Sequence, residues 1–228
     1  MNHPDKETVI TADHMASAID HTLLKTDALR TDIEKVCREA IQHHFGAVCV
    51  NSCHVPLVSV LLAGSDTQVC AVVGFPLGAM HTKAKAFEAR MAVEARAGEL
   101  DMVINVGALK SGDAKTVAAD IRAVRQAAGK NILKVIIETC LLSKAEKVLA
   151  CELAKSAGAD FVKTSTGFSS GGATIADVQL MKATVGDGMQ VKASGGIKDW
   201  VKAVAMLKAG ASRIGTSSGV AILEQAPK

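Results

Sequence analysis

The sequence predicts an α/β protein of one domain, a closed (β/α)8 barrel, and three observations carry that expectation. Short runs rich in Val, Ile and Cys alternate with longer stretches of helical period along the 228 residues, as βα units on a parallel sheet do. Eight such runs can be counted, and no linker-like shift in composition divides them, so they belong to one domain over 1–228. The ending Ala-Gly-Ala also recurs before the sixth and eighth runs, at 157–159 and 209–211, a weak internal repeat of equivalent units.

Taken in order, residues 1–12 open polar and predict a loosely docked tail. Strands follow at 18–20, 47–51, 69–75, 102–106, 133–138, 161–165, 190–194 and 213–216, each a short apolar or β-branched run. Helical periodicity lies between them at 32–44, 83–97, 114–127, 144–157 and 198–209. Gly46, Gly98, Gly158 and Gly210 stand where helix C-caps are expected. His43 and His44 read as a last helical turn, where the helix dipole favours His, and His81 as a helix start.

Composition narrows the function. Net charge is only +3, the basic residues are scattered, and the chain has one Trp, five Phe and no Tyr. Nucleic-acid binding calls for a clustered basic face with stacking aromatics and is disfavoured. No apolar run reaches membrane-spanning length and residues 1–7 are polar, so a soluble, cytoplasmic protein without a membrane partner is expected. The six cysteines form no C-x-x-C pair, which is reduced-thiol usage. Zinc on Cys49, Cys53 and His54 would lack a second ligand pair, and no metal is expected.

In a barrel of this kind chemistry belongs at the C-terminal strand ends. Polar residues collect there: Asp20 and Thr22, Asn51 and Ser52, Asn105, Glu138 and Thr139. Two lysines, Lys163 and Lys192, sit in successive apolar strands that run into glycine turns. Burial and like charge both disfavour two ammonium groups there, which suits a lysine that must be a neutral nucleophile towards a carbonyl. The plain alternative is that both reach solvent at strand ends. After the seventh and eighth strands, Ser194-Gly195-Gly196 and Gly215-Thr216-Ser217-Ser218-Gly219 combine glycines with hydroxyls. Such turns cradle phosphate, or merely turn tightly. Asp101 opens the fourth predicted strand; on pattern alone it is either paired with Lys163 or Lys192 across the barrel or exposed at its bottom.

Together these motifs resemble the 2-deoxyribose-5-phosphate aldolases, class I aldolases on a (β/α)8 barrel. The likeness runs nearly end to end, through Ile-Asp-His-Thr-Leu-Leu-Lys at 19–25, Leu-Asp-Met-Val-Ile-Asn-Val-Gly at 100–107, Val-Lys-Thr-Ser-Thr-Gly-Phe at 162–168 and Val-Lys-Ala-Ser-Gly-Gly-Ile at 191–197. It implies that Lys163 forms the Schiff base, Lys192 is a second active-site lysine and Asp101 is the proton-transfer acid/base. It further implies phosphate binding by Gly167, Gly195, Gly196, Gly215, Ser217 and Ser218. Asp20, Thr22 and Thr166 would line the sugar path, and Cys49 would lie near the reactive centre. The implied partner is a small phosphosugar, with no cofactor and a possible homodimer. Some members place a C-terminal tyrosine near the site, whereas this chain has no tyrosine and ends Leu-Glu-Gln-Ala-Pro-Lys. A phosphosugar isomerase or a flavin-binding barrel could use the same glycine turns but has no need of the paired lysines.

Overall fold

A computed structural model describes residues 9–227. Eight strands close a parallel barrel in sequence order: β1 (Ile19–Leu23), β2 (Ala47–Val50), β3 (Gln68–Val73), β4 (Glu99–Val103), β5 (Ile132–Ile136), β6 (Phe161–Lys163), β7 (Gln190–Ser194) and β8 (Arg213–Thr216), which returns to pair with β1. The helices are α1 (Ala12–Ala18), α2 (Arg30–Gln42), α3 (Val55–Leu61), α4 (Thr82–Glu94), α5 (Val106–Lys110), α6 (Ala114–Ala128), α7 (Lys144–Ser156), α8 (Ile175–Val185), α9 (Trp200–Lys208) and α10 (Gly219–Leu223). Most of the expected tail lies outside the described residues; Thr11 already caps α1, accepting from His14 N at 3.2 Å.

Two strands differ from the sequence expectation in a way that matters for the site. The fourth was expected at 102–106, but β4 starts at Glu99 and ends at Val103. Asp101 is therefore mid-strand and fully buried, not an opening residue. Acidic side chains at positions 99 and 101 made an inward face look like a loop. Asn105, expected in the strand, instead caps α5 by accepting from Ala108 N. Likewise β1 extends to Leu23, so Thr22 lies in the strand rather than after one that ended at Asp20.

Two helix ends also differ. Gly158 and Gly210 take the left-handed conformation just past α7 and α9, as expected. After α2 and α4 the left-handed residues are His44 and Arg96, two positions before Gly46 and Gly98. Gly46 is needed for another reason: a Cβ there would stand 2.3 Å from Ser17 O.

The apolar core is the shell between barrel and helices, into which Val48, Val73, Leu100, Val135, Val162 and Ile214 point. Period-2 alternation turns their neighbours inward. The barrel interior, usually packed with branched apolar residues, here holds Asp20, Glu99, Asp101, Lys134, Lys163, Lys192 and Arg213, joined to one another by ion pairs. Beside them lies a small apolar patch of Leu24, Ala47, Cys49, Cys70 and Val72.

Candidate active site

Strand register sets the arrangement. Lys163 of β6 is the direct partner of Lys192 in β7, and Asp101 of β4 is the partner of Lys134 in β5. Asp101 Oδ2 accepts from Lys163 Nζ and from Lys192 Nζ, each at 2.7 Å, while Asp101 Oδ1 accepts from Lys134 Nζ at 2.9 Å and from the Cys70 thiol at 3.2 Å. Lys192 also donates to Asp20, whose other oxygen accepts from Arg213 Nε at 2.8 Å. Lys134 donates to Glu99, which also pairs with Arg213 at 3.2 Å.

The carboxylates decide the charge state of this cluster. Burial alone would raise the Asp101 carboxyl, but Lys134, Lys163 and Lys192 outweigh it and hold Asp101 well below the usual range. Asp20 is lowered against the same burial by Lys192, Lys134 and Arg213. Burial would pull Lys192 down, yet Asp101 and Asp20 overcome it and hold Lys192 above the ordinary lysine range; Lys134 is raised in the same way. Like-charge repulsion therefore does not leave Lys192 neutral, because two carboxylates hold it as a cation. Four cationic side chains, Lys134, Lys163, Lys192 and Arg213, face three carboxylates, Asp20, Glu99 and Asp101.

A cavity of about 280 Å3 opens above the cluster at the C-terminal ends of the strands. Lys163 is the lysine of the buried three that reaches its wall; Lys192 and Lys134 lie behind it at zero exposure. Thr22, Thr166, Gly167, Gly195, Gly196, Gly215 and Ser217, all expected from sequence, line the cavity as well. Asp20 and Cys49 do not: both are fully buried below it. Asp20 pairs there with Lys192 and Arg213. Ser218 stands beside the cradle, its N–H on Thr216 Oγ1 at 2.9 Å.

Lys134, Glu99 and Arg213 of the network, together with Lys25 and Lys198 on the cavity wall, were not singled out by sequence. Lys134 carried the same signal as the other two lysines, an amine amid Leu133, Val135 and Ile136, and Glu99 shares the face of Asp101 by strand periodicity. Lys25 and Lys198 are exposed lysines on the cavity wall, where positive charge suits a phosphoryl group. Cys49, Cys70 and Asp101 lie close enough to hold a metal ion, but both Asp101 oxygens are already taken by ammonium groups. Of the C-terminal residues that are described, up to Pro227, none lines the cavity, and Gln225 Oε1 accepts from Trp200 N at the start of α9.

A cationic nest with one lysine on a cavity wall has the form of an amine-catalysis site. The model of the DeoC/LacD family aldolases matches residues 14–225. The chain belongs to that family. It is 60% identical over 210 residues to the deoxyribose-phosphate aldolase of Brevibacillus brevis, covering 92% of this chain and 95% of that one. To the deoxyribose-phosphate aldolase of Carboxydothermus hydrogenoformans it is 56% identical over 220 residues, 95% and 96% of the two chains. Among solved structures, the deoxyribose phosphate aldolase of Aeropyrum pernix, described as a unique tetramer, superposes with a TM-score of 0.86 at 34% identity over 94% of this chain and 91% of that one. This family aldolase thus carries its ionic cluster directly beneath the cavity.

Proposed function

We propose that this aldolase reversibly cleaves 2-deoxy-D-ribose 5-phosphate to D-glyceraldehyde 3-phosphate and acetaldehyde through a Schiff base on Lys163, in deoxyribonucleoside catabolism. The supporting observation is Lys163 Nζ on the cavity wall, bonded at 2.7 Å to the Asp101 oxygen that also takes Lys192. Lys163 acts as the neutral nucleophile of this step. Its amine adds to C1 of the open-chain sugar, and loss of water gives an iminium that withdraws electrons from C2. As the C2–C3 bond breaks, Lys192 passes a proton to Asp101 and takes the C3 hydroxyl proton in its place, so it stays a cation, and the positive charge lost by the iminium is matched by the protonation of Asp101. C3 leaves as the aldehyde of glyceraldehyde 3-phosphate; the enamine takes a proton at C2, and water releases acetaldehyde.

The glycine turns of β7 and β8, with Gly167 and Ser217, hold the phosphate, and Lys25 and Lys198 add charge beside it. Among the described residues no helix is long and apolar enough to cross a membrane. A cytoplasmic location and association as a homodimer belong to this reading, the latter supported by exposed Phe87 and Met91 on α4 and tested by light scattering. For the chemistry, acetaldehyde with borohydride should add one two-carbon unit at Lys163 in a peptide map. Label on Lys192, or spread over surface lysines by exposure, would refute the assignment.

A further inference from the structure

We infer that Glu138 is a positioning residue of this site: it fixes the Thr166–Gly167 wall against which the substrate's phosphate end lies. The inference rests on the phosphate cradle proposed above and adds the group that holds it in shape.

The β5 ladder continues past its end: Ile137 N donates to Lys163 O at 3.0 Å and Thr139 N to Thr164 O at 2.9 Å. Between these two bonds Glu138 turns left-handed, at φ 56° and ψ 66°, a conformation disfavoured for a side chain of this size. That turn aims its carboxyl group across to the β6 loop. There it accepts from Thr166 N at 3.2 and 3.3 Å and from Thr166 Oγ1 at 2.5 Å. Glu138 is only 4% exposed and has no cationic partner among the described residues. A buried carboxyl group is costly unless its bonds are made, and apart from a long contact from the Cys140 thiol at 4.0 Å the Thr166 contacts carry its compensation.

Thr166 is correspondingly committed. Its hydroxyl donates to Glu138 and accepts from Phe168 N at 3.1 Å. Though Thr166 lines the main cavity, its polar groups are spent on the loop rather than offered to a sugar hydroxyl. Phe168 in turn packs edge-on against Phe75, ring centroids 5.2 Å apart. The far end of the loop is anchored separately: Ala173 N donates to Ser194 O and Gly195 O, and a Cβ on Gly172 would stand 2.2 Å from Gly195 O. Gly167, at φ +83°, lies between the two anchors.

The reason an anchor is needed is a void. Behind Thr166 and Phe168 is a second cavity of about 130 Å3, lined also by Pro76, Leu77, Val103 and Glu138 itself. Thr166 is therefore a thin partition with open space on both sides, and without Glu138 it can relax into the smaller space, carrying the Gly167 N–H away from the phosphate.

The test compares Glu138→Ala, Glu138→Gln and Thr166→Val with wild type, using 2-deoxyribose 5-phosphate, unphosphorylated 2-deoxyribose and acetaldehyde trapping at Lys163. Glu138→Ala should raise KM for the phosphorylated sugar roughly tenfold or more, the scale of losing hydrogen bonds to a buried carboxyl group. KM for the unphosphorylated sugar and the trapping rate should not change. Glu138→Gln, which keeps one acceptor oxygen, should recover most of the loss, and Thr166→Val should show a smaller rise of the same kind. Equal losses for both sugars across these variants would make Glu138 a stability residue and overturn the inference. A wild-type preference for the phosphorylated sugar that survives Glu138→Ala would overturn this inference alone; a wild type with no such preference would overturn the cradle as well.

Discussion

Replacing Asp101 with Asn separates the chemical role of this carboxylate from its structural one. The side chain keeps its volume, yet three ammonium groups lose a counter-charge, since Asp101 receives Lys163 and Lys192 at 2.7 Å and Lys134 at 2.9 Å. The three losses are unequal. Lys134 keeps Glu99 and Lys192 keeps Asp20, whereas Lys163 has no other carboxylate partner among the described residues. The cost should therefore resemble one broken buried pair, about 3–5 kcal/mol, rather than three. For a chain of this length that corresponds to a fall in Tm of roughly 6–20 °C. Catalysis should fall further than stability accounts for, by about 10²–10⁴ in kcat, because the acceptor of the C3 hydroxyl proton is gone. Acetaldehyde trapping at Lys163 should persist, since the amine on the cavity wall is itself the nucleophile and addition to a carbonyl does not require the Asp101 carboxylate. Urea unfolding, retro-aldol initial rates and borohydride trapping on the same preparation decide it. If stability falls as stated while kcat stays within about tenfold of wild type, Asp101 is a structural ion and the proton-transfer argument fails.

Two further outcomes are expected. Tm should show two acid limbs: His21, held below its usual value by burial against the pull of Glu39, contributes stability present above about pH 6.5 and lost as pH falls below it. Asp20 and Asp101, both lowered, contribute stability present above about pH 4 and lost only as pH falls through their lower folded values. Scanning calorimetry on His21→Gln should remove the first limb alone, and a first limb that survives would contradict the assignment. Ser217→Asp, on the exposed cavity wall, should raise KM for the phosphorylated sugar and leave that of 2-deoxyribose unaltered, because a carboxylate there repels only the phosphate; steady-state kinetics with equal losses for both would place the phosphate elsewhere.

The alternation of eight apolar runs with helical stretches determined the barrel from sequence alone, and the lysines at 163 and 192 running into glycine turns pointed to amine chemistry. Periodicity and turn composition are local properties, and a lysine in an apolar strand needs an explanation wherever it lies. The partners had to wait for tertiary structure. Asp101 appeared to open a strand, because Glu99 and Asp101 look like loop residues until the cations that neutralise them are known. Those cations come from β5, β6, β7 and β8, with Lys134 33 residues from Asp101, Lys163 62 and Lys192 91. Whether Lys192 is neutral or charged likewise depends on counting carboxylates against ammonium groups in one buried volume, and Asp20 arrives there from 172 residues away. Glu138 is the clearest case: in sequence it is a polar residue at a strand end, and only the left-handed turn and the cavity behind Thr166 give its carboxyl group a task. Sequence sets which groups are available, while the closure of the barrel sets which of them meet, because the energies of buried charges depend on distances that no local pattern encodes.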